Sequence, residues 1–317
     1  MRLIQDLSGI RTPNNLDESN VILSAEHVSK WYISFKRRKT VALENVNFSI
    51  FKGERVCIIG ESGSGKSTLA KILCGLITPN SGEVRFEGKK LSELNKSEKR
   101  VFRMRVQYIP QCPDLALDPT WYLYDSLAEP LRIQKICSKK DEFERVKEVC
   151  ERVGIGMDQL RRKPRNVSGG ELQRVVIARA FILSPEIIIA DEPTSMLDPS
   201  IQAKIVRTIL DLQSESNIGI VFLTHDLELA KLVSEKMFVM LGGRIVESGY
   251  TRDILKTPLH PYTKSLLMGV PPKTEFNQNS PCGFYGECEI VSEVCCQYPP
   301  PESEVYGGRK VRCWRYA

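Results

Sequence analysis

The sequence of 317 residues predicts an α/β fold built around a buried parallel sheet. Three runs of almost continuous apolar residues, at 56–59, 187–190 and 219–223, are short enough to be strands. Such runs are typical of parallel strands that are covered on both faces. Helical patterns of apolar residues follow the first two runs, as strand–helix–strand units require.

The first apolar run leads into a glycine-rich loop with the spacing G-x-x-x-x-G-K-[ST]. The loop consists of Gly60, Glu61, Ser62, Gly63, Ser64, Gly65, Lys66, Ser67 and Thr68. Its glycines let backbone N–H groups face inward, and the following helix N-terminus adds positive potential, so the loop suits a polyphosphate. Lys66 is expected to reach the β- and γ-phosphates, and the Ser67 hydroxyl to bind Mg²⁺. The sequence therefore predicts a nucleoside triphosphate site.

Composition argues against a membrane-spanning or secreted chain. The apolar fraction is 42% and the charged fraction 26%, yet no apolar run approaches the roughly 18 residues that a membrane helix needs. The N-terminus lacks the continuous apolar segment of a secretory signal. The net charge of +6 is mildly basic. Its densest run, at 36–39, is interpreted as a solvated loop, with nucleic-acid or lipid-headgroup contact as the alternative. We expect a cytosolic protein without a nucleic-acid partner.

Three regions surround the predicted nucleotide core. Residues 1–20 are polar and are expected to form an N-terminal extension. Residues 21–50 alternate apolar and polar positions, which predicts an antiparallel sheet beside the core. Residues 112–172 are rich in charge and are predicted to form a helical subdomain, with four apolar residues at helical spacing. Those residues are Phe143, Val146, Val149 and Val153.

The second apolar run ends in two carboxylates, Asp191 and Glu192. A carboxylate at the end of a buried strand beside a phosphate loop is where a second Mg²⁺ contact is needed. Asp191 is predicted to hold Mg²⁺ through water, and Glu192 to polarise the attacking water as a general base. Further along, Asp198 is expected to cap a helix that Pro199 opens.

A second phosphate-binding helix N-terminus is predicted at Ser168, Gly169 and Gly170. One chain needs only one cradle for one γ-phosphate, so a second cradle makes sense if it serves the nucleotide of a partner chain. This stretch resembles the signature motif of the ATP-binding cassette (ABC) family, which is close to Leu-Ser-Gly-Gly-Gln. The sequence differs at Val167 and at Glu171. The second difference is expected to matter little for the phosphate contacts of Ser168 and Gly170.

The other motifs of the ABC family occur in the same order. Gln111 falls at the Q-loop, which the resemblance implies contacts Mg²⁺ or the attacking water and also the membrane partner. Asp198 falls at the D-loop, beside the ATP, and His225 at the switch histidine, which contacts the γ-phosphate. Tyr32 best matches the aromatic residue that stacks on adenine, with Trp31 as second choice.

The resemblance covers residues 21 to about 255 and implies a P-loop NTPase fold. Its parts are a RecA-like core, an antiparallel β subdomain and a helical subdomain. It implies ATP and Mg²⁺ as cofactors and two nucleotide domains that sandwich two ATP molecules. It also implies a second ABC ATPase subunit, related or identical, and two transmembrane permease subunits.

The C-terminal extension, residues 256–317, is short and rich in cysteine. Its stretch from His260 to Leu267 resembles the extension of ABC ATPases that serve importers of the oligopeptide, dipeptide and nickel group. Some members of that group carry an iron–sulfur cluster there. The cysteines predicted to hold a [4Fe–4S] cluster are Cys282, Cys288, Cys295 and Cys313, with Cys296 as an alternative to Cys295. Zinc, free thiols or disulfides are the other interpretations.

The sequence therefore predicts the ATP-hydrolysing subunit of an ABC importer for peptides or a similar small solute. Its permease partners would hold it at the cytoplasmic face of the membrane, and an extracytoplasmic solute-binding protein would act indirectly. The alternative is a soluble ABC ATPase that remodels or activates a partner protein. Such proteins often carry two cassettes on one chain and do not need a membrane-coupling region at Gln111.

Overall fold

The computed structural model describes residues 21–33, 39–270 and 281–317. The predicted N-terminal extension and most of the basic run lie outside the described residues. The strands are β1 (Val21–Ile33), β2 (Lys39–Phe51), β3 (Arg55–Ile59), β4 (Ser81–Phe86), β5 (Lys89–Lys90), β6 (Val106–Ile109), β7 (Ile187–Asp191), β8 (Gly219–Thr224), β9 (Lys236–Leu241), β10 (Arg244–Tyr250), β11 (Ser303–Val305) and β12 (Arg309–Val311).

The α-helices lie between and after these strands. They are α1 (Lys66–Leu73), α2 (Lys96–Arg105), α3 (Leu123–Gln134), α4 (Lys139–Val153), α5 (Gly169–Phe181), α6 (Pro199–Ser216), α7 (Leu227–Val233), α8 (Thr251–Lys256), α9 (Pro261–Leu267) and α10 (Glu293–Gln297). Within the described part of the chain, none of the helices has the length and apolar character needed to cross a membrane.

The predicted antiparallel sheet consists of β2, β1, β4 and β5 in that order. Leu23 and Val28 of β1 are fully buried. They share one apolar core with Leu69 and Ile72 of α1. This core attaches the sheet to the helix that follows the phosphate loop.

The predicted parallel strands lie in the centre of a second sheet, whose order is β11-β12-β10-β9-β3-β8-β7-β6. β3 pairs in parallel with β8 and β9, and β7 pairs in parallel with β6 and β8. Ile58, Ile189 and Phe222 in these strands are fully buried, as expected of strands covered on both faces. Because parallel strands end at one edge of a sheet, the loops that follow β3, β7 and β8 meet there.

The predicted helical insertion contains α3 and α4. α4 begins at a capping box in which Ser138 and Asp141 satisfy each other's backbone N–H groups. Val146 and Val149 are buried at the centre of its apolar stripe, as predicted. Phe143 was predicted on the same face but is 45% exposed, because it lies at the edge of that stripe.

α2 was not predicted from the sequence. Its residues show no apolar stripe, since Phe102 alone among them is buried. The start of the helix does carry a signal, because Asn95 and Glu98 form a capping box.

The C-terminal segment extends the central sheet. β12 pairs antiparallel with β10, and β11 pairs antiparallel with β12. Glu247 of β10 is fully buried and forms an ion pair with Arg309 of β12, at 2.5 Å. The Glu247 carboxylate also accepts the backbone N–H groups of Leu259 and His260. A buried carboxylate with its hydrogen bonds satisfied is costly to disrupt, so these contacts fix the segment to the sheet.

Candidate active site

The phosphate loop joins β3 to α1, and its glycines are required by close backbone approach. Gly65 has a φ of 104°, and a Cβ atom there would lie 2.5 Å from the carbonyl oxygen of Ala42. A Cβ atom at Gly60 would lie 2.2 Å from the carbonyl oxygen of Met240. No other residue fits these positions without moving the backbone. The loop therefore has the tight curvature that a phosphate cradle requires.

The Lys66 ammonium group lies inside this curve. Its Nζ atom donates hydrogen bonds to the carbonyl oxygens of Gly60 and Glu61, at 2.7 and 2.8 Å. Burial lowers the pKa of Lys66, and the carboxylates of Glu192 and Asp191 partly offset the effect. A cation in the centre of a glycine-rich loop fits the charge of a polyphosphate.

Asp191 is fixed from both oxygens of its carboxylate. Ser67 Oγ donates to Asp191 Oδ1 at 3.0 Å, and Tyr108 Oη donates to Oδ2 at 2.8 Å. Burial raises the pKa of Tyr108, and the neighbouring Asp191 charge raises it further, so the phenol stays a donor. A hydroxyl beside a carboxylate is a donor set that suits Mg²⁺. Sequence reasoning assigned no role to Tyr108.

Glu192 directly follows Asp191, and two of the predicted site residues contact it. Gln111 Nε2 donates to Glu192 Oε2 at 3.0 Å, and His225 Nδ1 lies 3.1 Å from Oε1. The backbone N–H of Glu192 donates to the Leu223 carbonyl of β8, at 2.9 Å. The carboxylate, which follows β7, is therefore held by groups that follow the two neighbouring strands, β6 and β8.

A cavity of about 570 Å³ gathers most of these groups. Its walls contain most of the phosphate loop together with Gln111, Glu192 and His225. Thr40 to Ala42 of β2 and Leu266 of α9 complete the wall. A larger cavity, of about 1220 Å³, contains none of these residues, so size alone does not identify the site.

The remaining predicted nucleotide contacts do not line this cavity. Tyr32 lies directly opposite Thr40 in the pairing of β1 with β2, which places it next to the wall. Lys30 Nζ lies 5.4 Å from the centre of the Tyr32 ring, and Lys39 Nζ lies 4.4 Å from the centre of the Trp31 ring.

Ser168, Gly169 and Gly170 also lie outside the cavity, at the start of α5. A Cβ atom at Gly170 would lie 3.0 Å from Ile201 Cγ2 of α6, so this glycine has a packing role as well. Their contact with the nucleotide of a partner chain stays a prediction.

Glu171 is in direct contact with Ser168. The Glu171 carboxylate accepts the Ser168 N–H at 2.7 Å and the Ser168 hydroxyl at 2.8 Å. These two hydrogen bonds, the backbone one foremost, lower the pKa of Glu171. The residue that departs from the ABC signature thus orients the signature serine.

Asp198 precedes α6, and Pro199 is its first residue, as predicted. The Asp198 side chain, however, makes no capping hydrogen bond, so the predicted cap is wrong. The N–H of Ile201, one of the two that a side-chain cap can use, donates to the Asp198 carbonyl oxygen instead.

The four cysteines predicted as ligands line a second cavity, of about 350 Å³, which we call the cysteine cavity. They are Cys282, Cys288, Cys295 and Cys313. Cys296 is exposed and does not line it, which favours Cys295 over Cys296. Burial raises the pKa of Cys282, Cys288 and Cys313.

In residues 21–33, 39–270 and 281–317, no group of three or more His, Cys, Asp or Glu side chains is placed to hold a metal ion. This arrangement therefore supports neither the zinc nor the iron–sulfur interpretation.

Known proteins resemble both the core and most of the length of the chain. The ABC transporter family matches residues 43–195. A probable peptide ABC transporter ATP-binding protein of Sinorhizobium fredii is 35% identical, over 93% of this chain and 90% of its own length. A putative peptide import ATP-binding protein of Brucella abortus is 37% identical, over 87% of this chain and 86% of its own length.

Solved structures agree with the fold. The ATP-binding cassette MJ0796, in a dimeric post-hydrolysis state with ADP and Pi, is 31% identical with a TM-score of 0.66. It covers 73% of this chain and 99% of its own length. CbiO1 of Clostridium perfringens is 28% identical with a TM-score of 0.65, over 75% of this chain and 91% of its own.

The fold and the site define a P-loop ATPase of the ATP-binding cassette type. The chain belongs to the family of ABC transporter ATP-binding proteins, which confirms the resemblance drawn from its motifs. It is an ATP-binding and ATP-hydrolysing subunit of an ABC transporter.

Proposed function

We propose that the chain powers the import of peptides or a similar small solute. This proposal rests mainly on how much of the chain is similar to relatives whose names describe peptide transport. The match covers 93% of the chain and so continues from the cassette into the C-terminal segment. The partners are a second ABC ATPase subunit, related or identical, and two transmembrane permease subunits. An extracytoplasmic solute-binding protein acts through the permeases, and the chain sits at the cytoplasmic face of the membrane.

In the proposed mechanism, Glu192 removes the proton of the water that attacks the γ-phosphate. Its two carboxylate oxygens contact Gln111 and His225, at 3.0 and 3.1 Å, which orients the base. Lys66 neutralises charge on the β- and γ-phosphates. Ser67 and Asp191, with Gln111 as a further contact, would hold Mg²⁺, which would supply further neutralisation of phosphate charge.

Two ATPase subunits would close on two ATP molecules. Ser168, Gly169 and Gly170 of one subunit would meet the γ-phosphate held by the loop of the other, and Asp198 would lie beside it. Tyr32 would stack on the adenine. Closure moves the permeases, and hydrolysis opens the dimer again.

We also propose that the cysteine cavity holds a [4Fe–4S] cluster. In such a cluster each thiolate binds a different iron atom, so the sulfur atoms stand farther apart than around one ion. All four cysteines line one cavity of about 350 Å³, which has room for a group larger than a single ion. A cluster would tie together loops that come from three short stretches of the C-terminal segment.

Iron analysis of protein purified without oxygen tests the cluster. We expect about four iron atoms per chain and a broad visible absorbance, both lost in Cys288→Ser. Cys296→Ser is the matched control, because Cys296 is exposed and should leave the iron content unchanged. Iron-free protein, or equal iron in wild type and Cys288→Ser, would contradict this proposal.

Mass spectrometry of proteins that co-purify with the tagged chain from detergent-solubilised membranes tests the importer proposal. We expect multi-span membrane proteins and a second cassette protein. Leu115→Glu is a sharp comparison, because Leu115 follows Gln111 and is 86% exposed, where the resemblance places the membrane contact. This variant should lose the membrane proteins and keep ATP binding. A soluble enzyme as the sole partner would instead favour the remodelling ATPase.

A further inference from the structure

Tyr262 connects the C-terminal segment to the phosphate loop. It lies in α9, and its side chain is fully buried. Its hydroxyl oxygen accepts a hydrogen bond from the backbone N–H of Glu61, with an N···O distance of 3.3 Å. Leu266 of the same helix lines the cavity that the phosphate loop also lines. α9 is thus part of the wall of the nucleotide site.

On its other side, Tyr262 packs against the wall of the cysteine cavity. The ring of Phe284 meets it edge-on, with the ring centres 5.7 Å apart. His260 precedes α9, and its Nδ1 atom accepts the N–H of Tyr262 at 3.1 Å. Phe284 and His260 both line the cysteine cavity. Tyr262 therefore stands between the two cavities and contacts residues of both.

The loop and the segment approach each other at a second point. Burial raises the pKa of the Glu61 carboxyl, and the nearby carboxylate of Glu287 raises it further. Two like charges at this contact favour separation of the loop from the segment. The hydrogen bond from Glu61 to Tyr262 opposes that separation.

We propose that Tyr262 is a positioning residue of the nucleotide site, through which the C-terminal segment holds the phosphate loop at Glu61. The wall of the cysteine cavity in turn fixes the Tyr262 ring, so changes in that wall reach the nucleotide through this side chain. The inference rests on ATP binding alone and does not depend on which solute is carried.

Removal of the hydroxyl alone tests the contact. Tyr262→Phe keeps the ring and its packing, and should raise the Kd for AMP-PNP with Mg²⁺ about two- to tenfold in calorimetric titration of the full chain. The kcat for ATP should stay within about twofold, because Tyr262 contacts the loop at Glu61 and makes no hydrogen bond with Lys66 or Glu192. Tyr306→Phe is the matched control, since Tyr306 is 98% exposed on the same segment. An unchanged Kd, with or without a lower melting temperature, would overturn the proposal.

A double-mutant cycle tests the route through Tyr262. Phe284→Leu removes the edge-on ring contact and should raise the Kd for AMP-PNP about twofold or more in the wild-type background. In the Tyr262→Phe background it should add nothing, because no hydroxyl remains to reach Glu61. Equal increases of the Kd in both backgrounds would show that Phe284 does not act through Tyr262. Melting temperatures of all four proteins show whether each variant is folded.

Discussion

The stability of the C-terminal segment should depend on pH through His260. The side chain is 2% exposed, and its Nδ1 atom accepts the N–H of Tyr262. Burial lowers the pKa of His260 from 6.5 to about 4, although a hydrogen bond with the Arg312 backbone raises it slightly. The Glu247 carboxylate accepts the His260 N–H but is paired with Arg309. His260→Asn keeps an acceptor before α9 and removes the titrating ring.

The direction in which the free energy of unfolding changes with pH follows from proton binding. Between pH 6.5 and about 4 the unfolded chain binds a proton on His260 that the folded chain does not. The free energy of unfolding therefore falls as the pH falls through this window, and the contribution of neutral His260 is complete above it. For these two pKa values the loss between pH 8 and pH 5 is about 2 kcal/mol.

Urea unfolding of the wild type and of His260→Asn, at pH 8 and at pH 5, measures this loss. Other groups that titrate in the window contribute equally to both proteins and cancel in the comparison. We expect the wild type to lose about 2 kcal/mol more than the variant. Equal losses in the two proteins would mean that His260 titrates alike in the folded and unfolded chains, and would exclude this role for its burial.

Three further predictions concern the active site. Tyr108→Phe removes a hydrogen bond to the Asp191 carboxylate and should raise the Mg²⁺ concentration for half-maximal ATP hydrolysis about threefold or more, while kcat at saturating Mg²⁺ stays the same. An unchanged Mg²⁺ dependence would exclude a role of Tyr108 in Mg²⁺ binding. Glu192→Gln should lower kcat at least ~100-fold while ATP still binds, and unaltered hydrolysis in a phosphate-release assay would remove Glu192 from the base role. Glu171→Gln removes a negative charge at the start of α5, where the partner's γ-phosphate is proposed to bind, and should therefore tighten ATP-dependent dimers about two- to fivefold. Light scattering in the Glu192→Gln background measures the association, and weaker or equal association would contradict this prediction.

The nucleotide site was predictable because its signals are local. The phosphate loop is a contiguous motif between a strand and a helix, so its fold follows from nearby residues. Asp191 and Glu192 end a buried strand, and parallel strands end at one edge, which brings them to the loop. Gln111 and His225 follow the two flanking strands, β6 and β8, so they reach the same edge of the sheet.

The residues that sequence reasoning missed act through distant partners. Tyr108 bonds to a carboxylate 83 positions away, and Tyr262 bonds to a backbone group 201 positions away. No local pattern contains either contact, since both depend on how the strands and α9 pack. The contact of Glu171 with Ser168 could have been predicted from the sequence, because a serine three positions before a glutamate is the pattern of a capping box.

Uptake by intact cells tests most directly that ATP hydrolysis at this site powers import. Cells of the native organism that lack this chain would be complemented with wild type or with Glu192→Gln, and given radiolabelled dipeptides to pentapeptides. We predict that the wild type restores uptake of at least one of these peptides and that Glu192→Gln restores none. Equal uptake with the two proteins, or no change when the chain is removed, would contradict the account.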